Sequence, residues 1–268
     1  MSELAELLET ARVAARAASQ LLAGARAADI RAKGNPRDLV TEWDLRSEEI
    51  IRTTLAERTP GIPLLAEEGG ETGPKNSTAS TSMRWVVDPI DGTVNFAHGF
   101  PIWSVSIALE DEHQKPIVGV VTAPALGWWF EAAKGRGAHD GEGKPLVVST
   151  PATLEQSLLT TGFPYDRATN PDNNFVQWEH FQRNAGAVRR LGSASIDLCL
   201  VARGWMDGYW ERRLKPWDIA AGALIVAEAG GTVTNTTGGP FDPYEGEVAA
   251  TNGAIHVELI AELLRSRS

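Results

Sequence analysis

The chain has 268 residues, with 25 lysines and arginines against 35 aspartates and glutamates, a formal net charge of -10. A chain of this length can bury about 75% of the surface of its unfolded form, so it needs no disulfide or metal staple to fold. The acidic balance argues against direct nucleic-acid binding, which draws on lysines and arginines that neutralise backbone phosphates. It does not exclude an anionic substrate, provided that bound cations reverse the local field.

Cys199 is the only cysteine, which rules out an intrachain disulfide and suits a reducing compartment. It lies in the apolar stretch 196–201, which predicts a buried structural thiol rather than a nucleophile. The first residues, Met1 to Glu6, are acidic and amphipathic, unlike the basic start of a secretory signal. No apolar run approaches the ~20 residues that a membrane span requires, so we expect a soluble cytoplasmic protein that does not enter a membrane.

The N-terminal part begins with two predicted helices. Apolar side chains recur at helical spacing over residues 3–22 and again over 41–57. Residues 69–82 are rich in Gly, Ser, Thr and Pro and predict a surface loop. Beyond this loop, apolar segments predict strands at 84–88, 103–109, 117–122, 128–132, 158–162, 205–210 and 232–234. Further helices are predicted at 171–184, 193–202, 216–229 and 254–264.

The order of these elements indicates the fold class. Mixed strands followed by alternating strands and helices predict a layered α/β or α+β sandwich. No internal repeat and no long linker interrupts the chain. We therefore expect a single domain over residues 1–268, made of two closely packed lobes at about 1–150 and 151–268.

Residues 85–96 carry the strongest chemical signal. An apolar strand runs into Asp88, and the proline after it forbids a regular continuation. Asp91 follows, then Gly92 and Thr93, whose backbone N–H groups would form a phosphate cradle if a short helix begins there. Two carboxylates beside a phosphate would repel it unless hard cations stood between them, and Mg²⁺ prefers such oxygen ligands. The alternative, an Asp that caps a helix in a turn with Gly, explains one acid well and two poorly.

Other acids could supply the remaining ligands of such a site. Glu67 and Glu68 follow an apolar run and predict a strand end, although an adjacent Glu pair is also ordinary solvated surface. Asp218 stands at the start of an otherwise apolar helix. Its position could equally reflect the favourable interaction of an acid with the helix dipole.

A third candidate segment surrounds the start of the second predicted helix. Thr41 could cap this helix, with Asp44 in its first turn. Lys33, in the Gly-containing loop before it, could contact a phosphate or be solvated.

Other catalytic chemistries find little support. The five histidines are scattered, without the paired spacing of a zinc site. Residues 135–141 have glycines at the wrong spacing for a dinucleotide loop, so we expect a hairpin turn after the strand 128–132. No Gly-x-Ser-x-Gly motif and no Walker loop is present in the sequence.

These motifs, in this order, resemble those of the inositol monophosphatase family of Mg²⁺-dependent, lithium-sensitive phosphatases. The match covers nearly the whole chain and runs through Lys33 and the segments 38–44, 67–68, 88–96, 192–194, 207–211 and 217–222. One departure is that Gly69 and Gly70 stand where a Ser or Thr is frequent. The resemblance implies a layered αβαβα fold and, usually, a homodimer.

The resemblance also implies ligands for two to three Mg²⁺ ions per subunit. Glu67, Asp88 and the carbonyl of Ile90 would hold one ion. Asp88, Asp91 and Asp218 would hold a second, and a third, weaker ion would lie near Glu67.

For catalysis, the resemblance implies that Thr93, with Asp44 behind it, orients the water that attacks phosphorus, and that Glu67 completes the catalytic set. Glu211 and Ala194 would contact hydroxyls of the departing alcohol. The implied substrate-binding residues are Lys33, Asp91, Gly92, Thr93, Ala194, Glu211 and Asp218.

The leading interpretation is a phosphomonoesterase that acts on a small phosphate ester, most simply inositol monophosphate. The metal motifs do not separate this substrate from histidinol phosphate, fructose 1,6-bisphosphate or adenosine 3',5'-bisphosphate. Nucleotide bisphosphates need cationic or aromatic subsites, which the sequence does not place. A regulatory protein that binds the transcription machinery is the alternative from another class, but a complete set of acids is more than a binding module needs.

Overall fold

A computed structural model describes residues 3–73 and 83–266 of the chain. Its helices are α1 Glu3–Leu22, α2 Glu42–Arg58, α3 Thr93–Ala97, α4 Phe175–Asn184, α5 Ala194–Ala202, α6 Pro216–Glu228 and α7 His256–Arg265. The first strands are β1 Ile30–Ala32, β2 Leu39–Thr41, β3 Leu64–Ala66, β4 Gly70–Thr72, β5 Arg84–Asp91, β6 Ser104–Glu110 and β7 Pro116–Ala123. The others are β8 Trp128–Ala133, β9 Ala138–Asp140, β10 Leu158–Thr161, β11 Ala187–Arg189, β12 Gly208–Arg212, β13 Thr232–Thr234 and β14 Glu247–Thr251.

The strands form two mixed sheets and a small β1–β2 hairpin. The first sheet has seven strands in the order β4-β3-β5-β6-β7-β8-β9, and only the β3–β5 pair in it is parallel among the described strands. The second sheet has the order β11-β10-β12-β14-β13. In this sheet β10 runs parallel to both β11 and β12. The parallel pairs matter for function, because the segments that follow parallel strands meet at one edge of a sheet.

Three apolar cores separate five layers. One core lies between α1, α2 and one face of the first sheet, with Trp85 and Val87 of β5. The second holds α5 and α6 between the two sheets and includes Val86, on the opposite face of β5. The third lies between the second sheet and α4 and α7. This order of helix, sheet, helix, sheet and helix confirms the predicted α+β fold of the αβαβα type.

Helix α5 is apolar on all sides because it is covered on all sides, and residues 219–226 of α6 are also buried. Every residue of α5 is buried, and a Cβ atom on Gly222 of α6 would lie 2.7 Å from the Cβ of Leu198 in α5. A Cβ on Gly119 of β7 would lie 2.9 Å from the carbonyl oxygen of Ala221. The two glycines therefore let α6 lie close to both α5 and the first sheet. This close packing sets the position of Asp218, the acid in the first turn of α6.

The hairpin predicted after the strand 128–132 is confirmed, since β8 pairs antiparallel with β9. Cys199 is buried as predicted, and burial raises the pKa of its thiol. Among the described residues, no helix is long and apolar enough to cross a membrane. The division into two lobes at about 1–150 and 151–268 stays a prediction.

Several predicted bounds were wrong. The strand predicted at 205–210 is Gly208–Arg212, because Trp205 and Met206 still donate backbone hydrogen bonds to Leu200 at the end of α5. The helix predicted from residue 171 begins at Phe175. Asn174 has a φ of 68°, and its side chain donates to Thr161 and Gly162 at the end of β10, so no helix can run through residue 174.

The loop predicted at 69–82 contains the short strand β4, which pairs antiparallel with β3. Residues 74–82 of that loop lie outside the described residues. The short strands β1, β11 and β14 were not predicted, because three to five residues give too little alternation to recognise, whereas the strand end expected before Thr41 is β2.

We expect Gly119→Ala to lower the free energy of unfolding by about 1–3 kcal/mol, the cost of overpacking a well-packed core. The added methyl group would press on the backbone of Ala221. Gly61→Ala is the matched control, because its methyl group would meet nothing within 4 Å. Urea unfolding of the three proteins measures the difference, and equal stability of the two variants would contradict the proposed close approach of α6 to the sheet.

Candidate active site

A cavity of about 280 Å³ opens where strands of both sheets end and where α3, α5 and α6 begin. The parallel strands β3 and β5 bring Glu67 and the segment 88–91 to one edge of the first sheet. The parallel strands β10 and β12 bring Gly162 and Glu211 to the same cavity from the second sheet. Because these strands are parallel, acids that are far apart in the sequence lie close together at the cavity.

Six carboxylates line this cavity, and four of them, Glu67, Asp88, Asp91 and Asp218, form a cluster around Asp88. Asp88 is 2% exposed, and burial raises its pKa well above the usual range. The charges of the three other acids raise this pKa further. Burial likewise raises the pKa of Asp218, with added contributions from Asp91 and Glu67. Such a cluster strongly favours a cation, because several like charges cannot share a buried space without one.

Lys33 is a cation that reaches this cluster. Its Nζ lies 2.8 Å from Oε1 of Glu67 and also forms an ion pair with Glu68. Burial opposes the lysine charge, but the two glutamates outweigh burial and raise its pKa. Burial raises the pKa of Glu68 to about 7. Lys33 is thus held at the cavity by acids and is not a solvated loop residue.

Three of the four clustered carboxylates accept hydrogen bonds from other residues of this chain. Glu67 is turned towards the lysine. Asp218 Oδ2 accepts the N–H of Lys215 at 2.7 Å. Asp88 Oδ1 accepts the N–H of Ile90 at 3.0 Å. Consistent with this, no three His, Cys, Asp or Glu side chains in residues 3–73 and 83–266 are arranged so that they could hold one metal ion together. A shared ion would require these carboxylates to turn towards the cavity.

Asp91 is held by two serines at the start of α5, which in turn contact a serine of β6. Its Oδ2 accepts the hydroxyl of Ser193 at 2.7 Å, and the N–H and hydroxyl of Ser195 at 2.7 and 2.6 Å. The Oγ of Ser104 lies 2.6 Å from that of Ser195. Burial raises the pKa of Asp91, and the serine hydrogen bonds oppose this rise. The sequence did not predict these contacts, because nothing near Ser193 indicates a partner 102 residues away.

Asp44 contacts both residues with which the sequence analysis associated it, Thr41 and Thr93. Its Oδ2 accepts the N–H and hydroxyl of Thr41 at 2.8 and 2.5 Å, and Thr41 caps α2 as predicted. Its Oδ1 accepts the hydroxyl of Thr93 at 3.0 Å, and this hydroxyl also lies 3.0 Å from the carbonyl oxygen of Ile90. Gly92 precedes Thr93 with a φ of 93°, and a Cβ there would lie 3.0 Å from the carbonyl oxygen of Gly192. Glycine is therefore required at this turn.

Glu211 lies within β12 and is 9% exposed. Its Oε2 accepts the hydroxyl of Tyr209 at 2.7 Å. Burial raises the pKa of Glu211 to about 7, although this hydrogen bond opposes the rise. A Cβ atom on Gly162 would overlap the Glu211 carboxylate, so this glycine provides the space that the carboxylate occupies. Ala194, at the start of α5, lines the same cavity.

The structure adds cationic and aromatic side chains to the cavity wall. Phe163, Tyr165, Arg190, Arg213 and Lys215 all line it. No sequence motif predicted a role for these residues, which follow strands of the second sheet.

The predicted site residues come together. All of them line the cavity except Asp44, which lies behind Thr93; those at the cavity are Lys33, Glu67, Asp88, Ile90, Asp91, Gly92, Thr93, Ala194, Glu211 and Asp218. Their individual roles stay predictions, which the geometry supports.

Comparison with known proteins identifies the family. The model of the inositol monophosphatase family matches residues 3–268. The chain belongs to the inositol monophosphatase family. A protein of Synechocystis sp. named inositol-1-monophosphatase is 46% identical over 86% of this chain and 78% of its own length. One of Mesorhizobium japonicum with the same name is 37% identical over 95% and 93% of the two chains.

A solved structure gives the same result. The inositol monophosphatase from Anabaena (Nostoc) sp. superimposes with a TM-score of 0.88 at 38% identity, covering 98% of this chain and 97% of its own. Membership of the inositol monophosphatase family identifies this protein as a phosphatase, a phosphoric monoester hydrolase, and confirms the resemblance seen in the sequence.

Proposed function

We propose that this phosphatase is a Mg²⁺-dependent enzyme that hydrolyses inositol monophosphate to inositol and phosphate. The observation that carries the proposal is the set of four carboxylates at one cavity, beside a threonine hydroxyl held by a buried aspartate. The names of the relatives from Synechocystis and Mesorhizobium support the substrate.

The donor set fits hard divalent cations. All candidate ligands are oxygens, and their like charges raise the pKa of Asp88 and Asp218. Glu67, Asp88 and the carbonyl of Ile90 would hold one Mg²⁺, and Asp88, Asp91 and Asp218 a second, with a weaker third near Glu67. When bound, such ions neutralise phosphate oxygens and lower the pKa of a water.

The chain's own contribution to the reaction starts at Thr93 and Asp44. The Thr93 hydroxyl donates to Asp44, which leaves its oxygen lone pairs free to accept a hydrogen bond from the attacking water. Asp44 would then receive a proton through Thr93. Burial raises the pKa of Asp44, which favours this transfer, while hydrogen bonds from Thr41 and Thr93 limit the rise.

Recognition of the alcohol would fall to Glu211 and Ala194. A carboxylate can accept hydrogen bonds from two adjacent hydroxyl groups of a polyol. The hydroxyl of Tyr209 donates one hydrogen bond to Oε2 of Glu211. The other lone pairs of this carboxylate are available to a substrate in the cavity. This arrangement favours a polyol phosphate over a simple aryl phosphate. A homodimer and a cytoplasmic location stay predictions.

We expect hydrolysis of inositol 1-phosphate to require Mg²⁺, and Asp91→Asn to reduce kcat by at least about 100-fold. The asparagine keeps an oxygen for the serine donors but loses the charge that holds a cation. Asp29→Asn, at an exposed aspartate paired with Arg31, is the control and should keep full activity. Full turnover in excess chelator, or an active Asp91→Asn enzyme with a native unfolding curve, would contradict the metal assignment.

We expect Li⁺ to inhibit the enzyme, because it is a small hard cation that could occupy a metal position and slow the release of phosphate. The predicted modulator of access to Glu67, the loop 71–82, lies mostly outside the described residues. Turnover is measured in a Li⁺ titration, with K⁺ at equal ionic strength as the control. Identical curves for the two ions would argue against this prediction.

We expect Glu211→Gln to weaken kcat/KM for inositol 1-phosphate by about 1–3 kcal/mol, the order of a hydrogen bond to a charged group. Hydrolysis of an aryl phosphate, which lacks the hydroxyls, should hardly change. Glu179→Gln, on the exposed face of α4, is the control. Equal losses on both substrates would place Glu211 in the catalytic machinery, and no loss on either would remove it from the site.

A further inference from the structure

Helix α2 carries polar side chains on its buried face. The buried residues of this helix are Asp44, Ser47, Glu48, Ile51 and Leu55, which follow the three- and four-residue spacing of one helix face. Ile51 and Leu55 are apolar and pack in the same core as α1. The first three residues are polar, and burying them without partners would destabilise the fold. Their partners belong to the candidate active site.

Two of these polar residues hold the segment that contains the central acids. Asp44 accepts the hydroxyl of Thr93 at the start of α3. The Oγ of Ser47 donates to the carbonyl oxygen of Pro89, within the segment 88–91, at 3.0 Å. The first turns of α2 therefore support both the end of β5 and the start of the helix that follows it.

Glu48, which is 4% exposed, binds the turn between β3 and β4. Its Oε2 accepts the backbone N–H of Glu68 at 2.8 Å, and its Oε1 accepts that of Gly69 at 2.9 Å. Two successive N–H groups thus point at one carboxylate, an arrangement that binds an anion strongly. The N–H of Glu67 donates to the carbonyl oxygen of Val87 in β5 at 3.2 Å. The backbone at Glu67 is therefore held on one side by the first sheet and on the other by Glu48.

Arg52, one turn further along α2, adds a second link between this helix and the turn. It forms an ion pair with Glu48 and donates a hydrogen bond to the hydroxyl of Thr72 in β4. A Cβ atom on Gly69 would overlap Nη2 of Arg52 and lie 2.5 Å from Oε1 of Glu48. Gly69 therefore leaves the space that this ion pair occupies, which is a physical reason for glycine at a position where Ser or Thr is frequent in the family.

We propose that Glu48 is a positioning residue of the metal site: it holds the backbone of the β3–β4 turn and so keeps Glu67 where its carboxylate can bind Mg²⁺. This role rests on the proposed function, because it presupposes a Mg²⁺ site at the cavity. Glu48 uses both carboxylate oxygens on backbone N–H groups and acts through Glu67 rather than on the ion. With the backbone fixed, only the side chain of Glu67 has to turn from Lys33 towards the cavity. Partners that orient a metal ligand in this way control the affinity for the metal.

The carboxylate of Glu48 is needed because both of its oxygens accept hydrogen bonds. A glutamine has nearly the same shape but a single acceptor oxygen, so its amide N–H₂ group would face the N–H of Glu68 or of Gly69. One backbone N–H would then be buried without a partner. The charge that pairs with Arg52 would also be lost. We therefore expect Glu48→Gln to loosen the turn that carries Glu67.

The test measures the dissociation constant of Mg²⁺ by isothermal titration calorimetry on the full chain, with no substrate present. We expect Glu48→Gln to raise this constant about 10- to 100-fold, the range typical of a lost partner of a metal ligand. Glu49→Gln, on the exposed face of the same helix, is the matched control and should bind Mg²⁺ like the unmodified protein. The Mg²⁺ concentration for half-maximal hydrolysis of inositol 1-phosphate should rise in parallel, while kcat at saturating Mg²⁺ changes much less.

A second variant changes the same contact from the side of the turn. Gly69→Ala should displace the side chains of Glu48 and Arg52 and also raise the dissociation constant of Mg²⁺. The double variant should lose little more than Glu48→Gln alone, because both substitutions break one contact. Leu263→Ala, in the third core, lowers the free energy of unfolding without touching this turn and should bind Mg²⁺ normally.

Unchanged Mg²⁺ affinity in Glu48→Gln would overturn the positioning role and leave the proposed function standing. An equal loss of affinity in Leu263→Ala would also overturn it, because the effect would then be one of stability. If the unmodified protein binds no Mg²⁺, the proposed function and the positioning role both fail. If Glu48→Gln does not fold, Gly69→Ala decides by the same criteria.

Discussion

The carboxylate of Asp88 is buried among Glu67, Asp91 and Asp218, and the surrounding structure is arranged around this concentration of negative charge. One lysine, Lys33, reaches the cluster directly. The remaining charge is met by hydrogen bonds, which stabilise a carboxylate but do not cancel its repulsion from the next one. A buried group of this kind is destabilising for folding unless it binds something, and a divalent cation is the partner that its chemistry favours.

The four carboxylates can share cations only if they are held close together. The two helices between the sheets, α5 and α6, provide this constraint. Asp91 belongs to the first sheet, but its partners Ser193 and Ser195 belong to the start of α5. Asp218 belongs to α6, and the carbonyl oxygen of the residue before it, Trp217, accepts the hydroxyl of Ser106 in β6 at 3.1 Å. The same core that gives the fold its stability therefore sets the spacing of the acids.

The residues that could be predicted from the sequence are those whose local context carries the signal. The segment 85–96 combines a strand, two acids and a helix start within a few residues, and Thr41 with Asp44 forms a capping pair that is local by nature. The contact of Asp44 with Thr93 spans 49 residues and has no local signal. The strand at Gly208–Arg212 was placed too early because Trp205, an apolar residue, closes α5 instead of starting the strand.

The wall of the cavity combines acids with the cations Lys33, Arg190, Arg213 and Lys215. If cations bind among the acids as proposed, a chain with a net charge of -10 can still attract a phosphate. Glu211 lines the same cavity, buried and able to accept hydrogen bonds, so its carboxylate would repel a further phosphate and would bind a hydroxyl group. The proposed substrate therefore presents its phosphate to the four clustered acids and a hydroxyl group to Glu211.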